Sequence, residues 1–148
     1  MISTTKFRSD QPALAQHTTD YAETLILVSP DTNATEAKAP ANANSVAGRQ
    51  YRMMAHAPYA YTSDDVIFTV HADRHGVAPE QRAEARRQFF SRGQACLRTS
   101  PLVRTHGWGV HSDRNCRVAL VAMESDAYRA LADDERVAKV TGMRSKRA

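Results

Sequence analysis

Two apolar segments, residues 107–111 and 117–123, lie on either side of the polar turn Asp113-Arg114-Asn115-Cys116. Strand-sized runs this close together, with turn-forming residues between them, specify a β-hairpin. A four-residue loop pairs Ser112 with Arg117, which sets Val110 opposite Ala119 and His111 opposite Val118. In that register Trp108, Val110, Ala119 and Val121 share one face, and Val118 and Leu120 the other. Both faces are apolar, so helices or a further strand must cover each of them. The longest apolar run in the chain, residues 118–123, falls far short of the ~18 residues that a membrane helix needs.

The further strand is Thr24-Leu25-Ile26-Leu27-Val28-Ser29, apolar and partly β-branched, closed by Pro30-Asp31. Residues 30–44 are rich in Ala, Asn, Thr and Pro and read as a loop. Ser45 is an N-cap for a helix with Ala47, Tyr51, Met54 and Ala55 on one face, ending before Pro58. Thr62 and Asp65 make a capping-box start for a second helix that Gly76 closes, with Asp64 and Asp65 at its positive end. The segment Val66-Ile67-Phe68-Thr69-Val70 also suits a strand, so helix is the favoured reading and strand its alternative. Pro79, the late cations Arg86, Arg87 and Arg92, and Gly93 mark a third helix. Ser125 caps a short helix holding Tyr128 and Leu131, and Asp133-Asp134 begins another that turns Val137, Val140 and Met143 to the core. The expected fold is α+β: a small antiparallel sheet of about three strands packed with four or five helices, one domain over residues 17–148 behind a flexible N-terminal arm, residues 1–16.

A length of 148 residues suits a single core without metal or disulfide staples. Cys96 and Cys116 have neither disulfide-framework nor zinc-site spacing and read as ordinary thiols. Lys6 and Arg8 are not followed by an apolar stretch, so the expected compartment is the cytoplasm. The net charge of +4 is uneven, since residues 1–45 carry three basic and five acidic groups and the remainder carries the surplus. That surplus permits a nucleic-acid partner by electrostatic steering, but interspersed acids make a solvated surface the favoured reading.

The ordered segments HTTDYAETLILV, PYAYTSDDVIF, FFSRGQACLRTSPLVRTHGWGVHSD, RVALVAMESDAY and MRSKR resemble a family of short bacterial proteins classified as a domain of unknown function, number 6157. The likeness runs from His17 to the end. It implies a compact single domain and brings no activity with it. Asp20 stands where the resemblance leads us to expect Asn; if that amide bound a ligand, a carboxylate there would disfavour an anion.

Chemistry concentrates in residues 93–101, where Gln94, Cys96, Arg98, Thr99 and Ser100 follow a helix end. With His106 or His111 as base, Cys96 is a candidate nucleophile; the plainer alternative is a buried thiol. Arg98, Arg104, Arg144, Lys146 and Arg147 are candidates for holding a phosphate or carboxylate. Tyr59 and Tyr61 are candidates for stacking on a ring, and Asp65 for a polar contact beside them. His71 and His75 have zinc-compatible spacing, but HADRH lacks the glutamate of the hydrolase motif and no third ligand is evident. Neither a metal nor a cofactor is therefore expected.

The leading expectation is a binding domain for an anionic or nucleotide-like small molecule, with a pocket built from Tyr59, Tyr61, Asp65, Gln94, Arg98, Ser100, Arg144 and Lys146 around the hairpin at His111. The alternatives are an enzyme using Cys96 with a nearby histidine such as His111, and a nucleic-acid-binding accessory protein.

Overall fold

The computed structural model describes residues 15–145. The N-terminal arm, apart from its last two residues, and the candidate ligands Lys146 and Arg147 lie outside them. The chain runs β1 (Thr24–Leu27), α1 (Val46–His56), α2 (Ser63–Arg74), α3 (Arg82–Phe89), α4 (Pro101–Arg104), β2 (Trp108–Ser112), β3 (Val118–Ala122), α5 (Asp126–Asp133) and β4 (Ala138–Thr141). Short 3-10 turns, Pro79–Gln81 and Leu97–Thr99, precede α3 and α4. The architecture is α+β, with the four strands ordered β3-β2-β1-β4.

Within residues 62–76 the chain is helical over Ser63–Arg74, because its first turn is capped. Thr62 accepts from the Asp65 amide while the Asp65 carboxylate accepts from the Thr62 amide. A strap upstream of β1 completes that end. The Asp64 carboxylate accepts from the Thr18 hydroxyl, the Thr19 amide and the Thr19 hydroxyl, each at 2.7 Å. Asp20 in turn accepts from the Asp64 amide at 2.9 Å, so Asp20 is an anchor at the head of α2, a job that an asparagine oxygen does equally well.

The hairpin is present with a different register. Val118 pairs with Ser112, Ala119 with His111 and Leu120 with Val110. The loop holds three residues instead of four, because the Asp113 amide donates to the Arg117 carbonyl and the Cys116 amide to the Asp113 carbonyl. Cys116 takes the left-handed conformation, φ +66, that such a bulged turn demands. The one-residue change exchanges the faces of β3. Val110, Val118 and Leu120 now share one face with Ile26, under α1 and α2, while His111 and Ala119 lie with Leu25 on the other.

Residues 134–143 depart from the helix expected of them. They form no helix; Ala138–Thr141 is a strand pairing parallel to β1, so the sheet is mixed and has four strands. Asp134 ends α5 by accepting the Arg136 amide and gripping the Arg136 guanidinium, an Asx turn that redirects the chain. Val140 then reaches the core beside Ile26, whereas Met143 is 45% exposed.

The main core gathers Ile26, Ala47, Met54, Val66, Leu97, Leu102, Val103, Val110 and Val118 between the sheet and the helices. A satellite of Phe68, Ala72 and Phe90 joins α2 to α3. On the far face α5 lays Tyr128 against Gly109, where a Cβ would sit 2.7 Å from the ring. Gly107, at φ +80, passes so close to the Glu36 carbonyl that a Cβ would be 2.5 Å from it. Among the described residues no helix is long and apolar enough to cross a membrane.

Candidate ligand cleft

α2 and its C-cap line one side of a cleft with Ile67, Val70, His71, Arg74 and His75, which share a stripe as spacings of three and four residues require; Val70 is buried at its base. Val46 and Gln50 of α1, Phe89 at the end of α3, and Gln94, Ala95, Cys96 and Thr99 face them across this cleft of about 290 Å³. The 94–99 segment is held in place locally. The Gln94 side-chain Nε2 donates to the Phe89 carbonyl at 2.7 Å, the Thr99 hydroxyl to the Cys96 carbonyl at 2.8 Å, and Leu97 is buried in the core. A shallower opening shares His71, Phe89 and Gln94 and continues past Ala85, Gln88 and Ser91 to Arg92.

The residues lining the cleft and its extension include no carboxylate. His71 stacks between Phe89, at a centroid distance of 4.6 Å, and His75, at 4.3 Å. Burial, and then the neighbouring His75, push the His71 imidazole below its ordinary range. The Arg74 and Arg92 side chains make no hydrogen bond or ion pair among the described residues, as is true of Arg52, Arg114 and Arg144 away from the cleft, whereas Arg82, Arg86, Arg87, Arg129 and Arg136 each sit on a carboxylate.

Gln50 is the most informative residue of the wall. It is 7% exposed. Its side-chain oxygen accepts from the Ser100 hydroxyl at 2.6 Å, and that hydroxyl accepts from the Leu102 amide at 3.2 Å. In this arrangement the Ser100 hydroxyl donates to the Gln50 oxygen, which turns the amide nitrogen the other way. The amide nitrogen of Gln50 has no partner among the described residues, and a buried donor beside a cleft is a standing demand for an acceptor.

The structure does not gather the sequence-derived site residues into one pocket. Gln94 and Cys96 line the cleft, and Ser100 sits behind it, orienting Gln50 and capping α4. Arg98 turns away, its Nε donating to the Thr141 carbonyl at 2.6 Å on the outer strand β4. Arg144 is exposed and lines none of this cleft. Tyr61 packs on the core and its carbonyl accepts the Val118 amide, extending the ladder past β3. Asp65 is paired with Arg86 at 2.8 Å. Burial works against the Asp65 charge, but the Thr62 amide and Arg86 outweigh it and hold the carboxyl below its usual range.

Tyr59 meets His111 on the far face of the sheet, its hydroxyl 2.8 Å from Nδ1. Burial lowers the His111 pKa against the opposing pull of Asp113 and Glu23. Cys96 and His111 are therefore on opposite sides of the sheet. The neighbour of Cys96 is the Tyr21 hydroxyl at 3.8 Å, and the histidines sharing its cleft are His71 and His75. Among the described residues no group of three or more His, Cys, Asp or Glu could hold a metal ion.

Sequence reasoning passed over Gln50, Arg74 and Phe89. Gln50 carried a usable signal, because it falls among Ala47, Tyr51 and Met54 on the apolar side of α1, where a polar residue needs a reason. Arg74 carried none, since nothing in its neighbours marks it as unpaired.

No curated protein and no solved structure matches the chain. A family model does match over residues 16–148, the whole of the described fold bar its first residue, and the chain belongs to that family, the family of unknown function DUF6157.

Proposed function

We propose that the protein is a small binding domain that holds a compact anionic molecule in the cleft between α1, α2, the end of α3 and residues 94–99. The observation that carries this reading is a lining with two histidines, without a single carboxylate, and with an Arg74 side chain that has no partner among the described residues. Arg74 supplies a fixed charge and a fork of donors suited to a carboxylate or phosphate. The Gln50 amide offers a neutral donor deeper in the wall, and Phe89 gives an apolar flank. The arginines elsewhere are largely tied to carboxylates or backbone carbonyls, which supports a local anion site over a broad basic surface.

Calorimetric titration with inorganic phosphate and with citrate tests the reading. Saturable binding to the wild type that is lost in Arg74→Ala and kept in Arg98→Ala is expected. Binding of neither anion, or equal binding by both variants, would overturn it.

A further inference from the structure

We propose that Cys96 forms mixed disulfides by exchange with small anionic disulfides, the cleft holding the charged part of the disulfide while Cys96 takes one of its sulfurs. The inference rests on the anion-binding reading above. Cys96 and Cys116 are both half-buried, so access does not distinguish them. Their surroundings do. Cys96 lines a wall shared with His71, Arg74, His75 and the unpartnered Gln50 amide, and no acid faces it there. Cys116 sits at the hairpin tip, where Asp20, Asp113 and Asp64 act on it and, after burial, add to the rise in its pKa.

A peptide-like thiol carries carboxylates and amide carbonyls. Arg74 fits the first and the Gln50 NH2 the second.

The exchange balances without any further reagent. The Cys96 thiol loses its proton to solvent, and the thiolate attacks one sulfur of a low-molecular-weight disulfide. The S–S bond of that disulfide breaks, a new one forms to Cys96 Sγ, and the second half leaves as a thiolate that takes up a proton. Cys96 is oxidised and the departing half reduced. The Tyr21 hydroxyl, 3.8 Å from Sγ, donates toward the sulfur while it carries charge.

The test uses the full chain with glutathione disulfide, which is anionic, and cystamine, which is cationic. Mass mapping follows each cysteine in time. With glutathione disulfide Cys96 is expected to react faster than Cys116 by on the order of tenfold. The ratio is expected to collapse with cystamine and in Arg74→Ala. Equal rates at the two cysteines with glutathione disulfide, or a Cys96 preference that persists with cystamine, would overturn the proposal. If phosphate still binds the wild type in that case, only this inference falls; if phosphate binding is absent too, the anion-binding reading falls with it.

Discussion

The Ser100 hydroxyl donates to the Gln50 side-chain oxygen across 2.6 Å, and both residues are almost fully buried. This bond joins the start of α4 to α1 and decides which end of the Gln50 amide faces the cleft. Ser100→Ala removes it together with the α4 N-cap, and a loss of about 1–2 kcal/mol in chemical denaturation is expected. Gln50→Met preserves volume but takes away the acceptor of the buried Ser100 hydroxyl as well as a nitrogen with no partner among the described residues, so it should cost about 1–2 kcal/mol, as Ser100→Ala does, while phosphate affinity falls. A purely structural Gln50 predicts the same loss of stability with phosphate affinity unchanged.

Asp64 receives three hydrogen bonds from Thr18 and Thr19. Asp64→Ala leaves the buried Thr19 amide without its acceptor, while Thr18 is exposed and the Thr19 hydroxyl keeps Ser63 as a partner, and about 2 kcal/mol of stability should be lost. Hydrogen exchange at the Thr19 amide should accelerate well beyond that at core amides such as Val110. Protection at Thr19 unchanged from the wild type would mean that the strap is held by something other than this carboxylate.

Burial raises the Asp20 pKa; the Asp64 amide opposes it, the Asp64 and Asp65 carboxylates add to it, and Arg86 pulls it back. A folded-state value above the unfolded one means that the folded form binds more protons, so stability from this group is complete below the unfolded pKa and declines as pH rises through the folded one. Asp20→Asn keeps the acceptor for the Asp64 amide and abolishes that decline. Its thermal midpoint relative to wild type should therefore improve between acidic and neutral pH; a difference that stays flat with pH would contradict the assignment.

Cys116 occupies a left-handed position, φ +66, without the freedom of glycine. Cys116→Gly should stabilise the hairpin by about 1 kcal/mol, the steric relief exceeding the added chain entropy. The comparison to make is the denaturation midpoint of the variant against wild type, and a loss there would show that the thiol packs usefully.

The parts legible in the sequence were those whose signals are local. Ser45, Thr62 with Asp65, and Ser125 cap their helices through bonds spanning three residues, and those helices stand where the sequence placed them. The hairpin was legible but not its register, because a polar turn does not state whether its last residue belongs to the loop; Cys116 in the left-handed region decides that. β4 was missed because Asp133-Asp134 resembles a helix start, and only the open edge of β1, made by residues more than a hundred positions earlier, turns Ala138–Thr141 into a strand. The site suffered most from this non-locality. Cys96 and Gln94 came out of one dense segment, while His111 and Tyr59 belong to the opposite sheet face, and the Gln50 contribution depends on Ser100, fifty residues away.

The most direct test of the anion cleft is an NMR pH titration of the His71 and His75 rings with and without inorganic phosphate. Burial and His75 keep His71 less basic than an ordinary imidazole. An anion in the cleft favours its protonated form, so phosphate should raise the His71 pKa, saturably and only while Arg74 is present. A His71 titration curve identical with and without phosphate would contradict the assignment of this cleft as an anion site.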